Sequence, residues 1–125
     1  MLKTILILLG GALGTGCRYG LTALVNSVIK QPGFPYANLL INVSGSFIFG
    51  WLAEMYGAQI FTSAALRAAL LTGVLGGYTT FSSFSFETYE LVRTEAWLAA
   101  SANALGSVLL GVIAVWAGVR LARAF

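Results

Sequence analysis

Gly73-Val74-Leu75-Gly76-Gly77-Tyr78-Thr79-Thr80-Phe81-Ser82-Ser83-Phe84-Ser85 lies inside the uncharged run 68–86. A run of that length approaches the roughly 20 residues a helix needs to cross a bilayer. Yet its first half holds three glycines, and it carries five Ser and Thr side chains. Each glycine costs a helix about 1 kcal/mol relative to alanine, and Ser and Thr side chains compete with the helical ladder for nearby backbone groups. These residues predict a third helix broken near its middle, around 76–80. Non-helical backbone at membrane depth survives only where it is buried in protein or lines a wet cavity, and discontinuous helices mark ion and substrate sites. The competing reading is a packing seam of small and hydroxyl residues between close helices. Phe81 and Phe84 stand three apart, on one face if the segment is helical. A ring edge carries positive partial charge, so these two residues are candidates to meet a small anion.

Outward from this stretch, two further uncharged runs, 31–53 and 96–119, are long enough to span a bilayer. The N-terminal run 4–17 ends at Arg18, but apolar character continues to Val25. Four transmembrane helices are expected, at 2–25, 37–56, 66–91 and 97–121, forming one domain over 1–125. The links are read at Gln31-Pro32-Gly33-Phe34-Pro35, at Gly57-Ala58-Gln59 and at Arg93-Thr94-Glu95, where helix breakers or charges collect. Lys3 followed by an apolar stretch resembles the start of a signal peptide, but the apolar character runs past the small residues, and a retained first helix is expected.

The composition agrees with a lipid solvent. Of 125 residues, 58% are hydrophobic and 9% charged, against about 25% charged in a soluble domain. A chain this short cannot hide that much apolar surface within itself. The net charge of +3 comes from scattered residues, so no nucleic-acid partner is expected. There is no His and a single cysteine, Cys17. The commonest general base and the usual zinc and haem ligand sets are therefore missing, and an enzyme is not expected.

Polar residues recur at helical spacing in two other spans. Asn38, Asn42 and Ser46 form a stripe on the second, and Asn103 and Ser107 repeat the i, i+4 pattern on the fourth. Interhelical hydrogen bonding is one explanation. A track of neutral N–H and O–H donors suited to a small anion is the other, with Thr80 and Ser83 contributing hydroxyls. Arg18 and Glu87 are the ionisable residues expected at depth, near a wet vestibule. With four spans, the end bearing both termini carries Lys3, Arg67, Arg120 and Arg123. The other carries Lys30 and Arg93, with Arg18 near it. So small an excess of positive charge leaves the orientation weakly specified, which is compatible with insertion both ways up and pairing of inverted copies. Four short helices alone can hardly enclose a pore, and glycine pairs such as Gly10/Gly14 and Gly16/Gly20 offer close-packing faces. At least a dimer is expected.

Three runs carry a specific resemblance. Residues 10–19 (Gly-Gly-Ala-Leu-Gly-Thr-Gly-Cys-Arg-Tyr), Asn42-Val43-Ser44-Gly45-Ser46-Phe47, and the 73–85 stretch extended through Phe86-Glu87 resemble the CrcB/Fluc family of microbial fluoride channels, over essentially the whole chain. The resemblance implies an all-α, antiparallel, dual-topology homodimer with two fluoride pores in the bacterial inner membrane, exporting fluoride passively and so relieving its toxicity. It implies that Phe81 and Phe84 present ring edges to fluoride, that Asn42 is the pore-lining amide, and that Ser107 is the fourth-helix hydroxyl. It also implies that Gly76 and Thr79 give backbone carbonyls to a central structural Na+ shared by the subunits. Arg18 and Glu87 match the family's first-helix Arg and its Glu after the second Phe. Asn38 stands where a Thr is common and Asn103 where a Ser can occur. Two other functions fit four short spans: a proton-coupled transporter of the small multidrug-resistance kind, and a membrane assembly subunit. The first needs an intramembrane carboxylate that the first span lacks. The second leaves the aromatic-hydroxyl cluster unexplained.

Overall fold

The computed structural model describes residues 1–30, 33–57 and 63–125. The chain is all-helical. Helix α1 covers Leu2–Val28 and α2 Tyr36–Gly57. A short α3, Ala64–Ala68, runs into a π-helical turn, Ala69–Val74, and then into α4, Leu75–Tyr78. Helix α5 covers Phe81–Arg93 and α6 Trp97–Ala122. The long helices follow the apolar runs and extend one to three residues beyond the sequence-based ends, because a helix continues until its backbone is turned. At α1 this happens at Ile29, which leaves helical geometry with φ −98° and ψ 90°. Of the expected links, Gln31, Pro32, Ala58 and Gln59 lie outside the described residues. The third link is a tight turn, with Glu95 at φ 60°.

Among the described residues, three helices are long and apolar enough to cross a membrane: α1, α2 and α6. The segment expected as the remaining span is divided among shorter helices. Its interruption falls at Thr79 (φ −80°, ψ 155°) and Thr80 (φ −149°, ψ 121°). Gly76 and Gly77 remain helical. The two threonines supply the local alternative to the ladder: the Thr79 hydroxyl donates back to Leu75 O at 2.9 Å, and Thr80 caps α5 by accepting the Ser83 N–H at 3.3 Å.

The glycines act through contact. Helix α1 packs on the π turn and α4, and α2 packs along α6. A methyl group on Gly10 would lie 2.6 Å from Ala69 O, and one on Gly73 would lie 2.6 Å from Ile7 O. Gly14 faces the Val74 carbonyl and Gly77 the Gly11 carbonyl, while Gly50 and Gly118 do the same between α2 and α6. Backbone thus meets backbone, which lipid-embedded helices use where large apolar side chains gain nothing by leaving the lipid. Among the described residues the buried apolar set is accordingly small: Ala69, Ala100, Ala114 and Ala122, with Ile41, Leu75 and Tyr56 as its larger members. Leu8, Leu9, Leu13, Leu105, Leu109 and Ile113 point outward, as expected where the surroundings are acyl chains.

Candidate functional site

The interruption between α4 and α5 creates backbone groups without helical partners, and Asn42 takes them up. The Thr80 N–H, which would reach Gly76 O in a continued helix, is accepted by Asn42 Oδ1 at 2.9 Å. Asn42 Nδ2 donates to Thr80 O at 3.1 Å and to Asn38 Oδ1 at 3.0 Å. One amide therefore closes a two-point bond on an extended residue, as a neighbouring strand would. Both its N–H groups and its carbonyl are engaged.

Beside this clamp lies a cavity of about 370 Å³. Asn42 and Ser46 of α2, Gly76 of α4, Thr79 and Thr80, Phe81 and Phe84 of α5, and Ser107 of α6 meet on its wall. The rings of Phe81 and Phe84 lie 5.6 Å apart at an interplanar angle of 43°. Phe81 is 79% exposed, so its ring is offered to the cavity and beyond. Of the residues singled out in the sequence, the cavity gathers Asn42, Thr80, Phe81, Phe84, Ser107, Gly76 and Thr79. Asn38, Ser83, Asn103, Glu87 and Arg18 are not on its wall. Glu87 lines a second cavity, of about 560 Å³, with Thr22 and Asn26 of α1 and Glu90. Arg18 is half-buried on α1.

The residues off the wall are bonded to it. Asn38 Nδ2 donates to Glu87 Oε2 at 2.7 Å. Asn103 Nδ2 donates to Thr88 Oγ1 at 2.8 Å, and Asn103 Oδ1 accepts the Ser107 hydroxyl at 3.4 Å. Ser83 accepts from Thr80 Oγ1 at 3.2 Å. Sequence reasoning missed Thr88, which lies beyond the hydroxyl run, and the Ser44–Tyr78 hydroxyl pair at 2.9 Å. A hydroxyl one turn after Phe84 was the available signal for Thr88.

For a cation, the described residues hold no group of three or more His, Cys, Asp or Glu. Oxygen donors at the interruption are carbonyls and hydroxyls, a hard set suited to an alkali or alkaline-earth ion rather than a transition metal.

Fold and site define a small multi-pass helical membrane protein with an aromatic, hydroxyl and amide cavity beside interrupted backbone. The family model described as "CrcB-like protein, Camphor Resistance (CrcB)" matches residues 5–119, and the chain belongs to that family. Among its relatives is a protein of Solibacter usitatus named "Fluoride-specific ion channel FluC", 43% identical over 122 residues that cover 98% of this chain and 99% of that one. Proteins of the same name from Parabacteroides distasonis (40%, covering 98% of this chain and 94% of the relative) and Rhizobium meliloti (44%, covering 92% and 91%) are similar to it as well. These relatives are bacterial and the chain carries three apolar spanning helices, which places it as a multi-pass protein of the bacterial cell membrane.

Proposed function

We propose that this chain is a fluoride-selective channel that exports fluoride passively and thereby protects the cell. The observation that carries the reading is the near full-length likeness to proteins named fluoride-specific ion channels. Hydrogen fluoride crosses membranes and ionises in the less acidic cytoplasm. A negative-inside potential then drives the anion out, by about 2.3 kcal/mol per charge per 100 mV. No fuel is needed, and the sequence carries no Walker-type phosphate loop.

In this reading α3 through α5 make the remaining membrane crossing, broken at Thr79 and Thr80, and an inverted second copy covers the open cavity. The assembly is an antiparallel, dual-topology homodimer. Phe81 and Phe84 turn ring edges toward fluoride, replacing part of its hydration shell without a fixed cation that would hold it too tightly. Thr80 and Ser107 line the polar side of the path, and Asn42, the pore-lining amide, shapes that side by holding Thr80 in place. Where the two interruptions meet, the carbonyls of Gly76 and Thr79 hold a structural Na+, which neutralises the carbonyl dipoles that a broken helix points at its twin. Arg18 raises the anion concentration at the entrance.

Phe81→Ile and Phe84→Ile test the ring-edge role. Each is expected to abolish fluoride efflux from proteoliposomes, read with a fluoride electrode, while the purified protein still elutes as the wild-type dimer. Unchanged efflux in both variants contradicts it.

A further inference from the structure

We infer that Asn38 and Asn103 are positioning residues that lock the rotation of α5 through Glu87 and Thr88, and so aim the rings of Phe81 and Phe84.

The need for such a lock follows from the packing. No residue of α5 is buried against the described remainder of the chain, so apolar burial does little to define how the helix is turned. Polar ties remain, and they come from the two buried polar residues among the described ones, Asn38 (6% exposed) and Asn103 (1% exposed). Neither lies on the wall of the cavity that holds the rings. One tie arrives from α2: Asn42 donates to Asn38 Oδ1 at 3.0 Å, and Asn38 donates to Glu87 Oε2 at 2.7 Å. The other arrives from α6. Ser107 donates to Asn103 Oδ1 at 3.4 Å, Asn103 donates to Thr88 Oγ1 at 2.8 Å, and Thr88 donates to Phe84 O at 2.7 Å. This second chain starts at a cavity hydroxyl and ends on the backbone of a cavity phenylalanine.

Glu87 and Thr88 are neighbours, and neighbours on a helix project about 100° apart. A helix held at two such positions, from two different partner helices, cannot roll without breaking one tie. The rings of Phe84 and Phe81, three and six residues upstream of Glu87, are then fixed in direction. Each tie uses the carbonyl and one N–H of an amide that is buried off the cavity wall, so both asparagines act through α5. The lock itself does not depend on the permeant ion; its effect on permeation rests on the channel reading above.

The experiment is amide hydrogen exchange over α5 in the purified, fluoride-free protein, paired with fluoride efflux from liposomes. Asn103→Leu and Thr88→Val are each expected to speed α5 exchange by about tenfold, the scale of one lost buried hydrogen bond. The double variant is expected to match either single one, because both remove the same tie. Asn38→Leu is expected to have a like effect. Glu87→Gln, which keeps an acceptor, and Thr88→Ser, which keeps the hydroxyl, are expected to exchange as wild type. Thr88→Val preserves side-chain shape at a half-buried site and keeps the test available if Asn103→Leu fails to fold. Wild-type exchange in Thr88→Val, or a double variant whose effect is the product of the two single ones, overturns the inference. If wild-type protein passes no fluoride, the channel reading fails while the exchange data still decide the lock.

Discussion

At the scale of single residues, the site depends on side chains that complete interrupted backbone. Thr80 N–H and C=O both end on Asn42. Asn42→Ala leaves two backbone groups unpaired in a part-buried setting and is expected to destabilise the protein by about 1–3 kcal/mol, read as a lowered melting temperature in detergent. A wild-type melt contradicts the clamp. The partnership was not legible beforehand, because it joins residues 38 positions apart and requires α2 to lie beside Thr80. What the sequence displayed was an Asn among apolar neighbours, equally suited to binding an ion or another helix. The glycines divide in the same way. Gly14 and Gly16 look alike as small-residue positions, but a methyl on Gly14 would fall on the Val74 carbonyl and 2.9 Å from Tyr78 N, whereas nothing lies within 4 Å of one on Gly16. Gly14→Ala is expected to cost about 1–3 kcal/mol by overpacking, and Gly16→Ala to be neutral or stabilising, in the same melting assay. Equal effects would show that α1 does not meet the π turn as described.

At the scale of elements, hydropathy made the long helices legible, since α1, α2 and α6 follow uncharged or nearly uncharged runs. Their ends were less so, because they depend on backbone turns such as that at Ile29. The expected trouble in the third segment was placed around 76–80 on account of its glycines. Gly77 instead permits contact with the Gly11 carbonyl, and the extended residues are the two threonines, whose hydroxyls satisfy local backbone groups. The π turn at Ala69–Val74 had no sequence signal of its own. It lies where Gly73 meets the backbone of Ile7 and Gly10, and a widened turn is a recognised way to shift a helix face at a functional site. Helix α5 has no buried residue and is tied to α2 and α6 by the hydrogen bonds of Asn38 and Asn103.

At the scale of the whole molecule, the balance of charge bears on assembly. The end with both termini carries Lys3, Arg67, Arg120 and Arg123, with Arg123 paired to Glu54 at 2.8 Å. The far end pairs Arg93 with Glu90 at 2.6 Å. Both pairs are surface-exposed and contribute little to stability, and with one at each end they leave the small Lys/Arg difference between the ends unchanged, so neither orientation is strongly favoured. Dual insertion is expected to place Thr94, in the exposed α5–α6 turn, on both sides of the membrane. In a Cys17→Ser background, Thr94→Cys is expected to react to about half with a membrane-impermeant maleimide applied to intact cells, and to completion after permeabilisation. Full protection or full reaction in intact cells contradicts dual topology.

The proposal that this chain conducts fluoride is tested most directly by fluoride release from liposomes that contain it as their only protein, under a fluoride gradient, with potassium and valinomycin to balance charge. The account predicts rapid release with no proton gradient imposed. Release no faster than from protein-free liposomes, or release only when a proton gradient is applied, would contradict it.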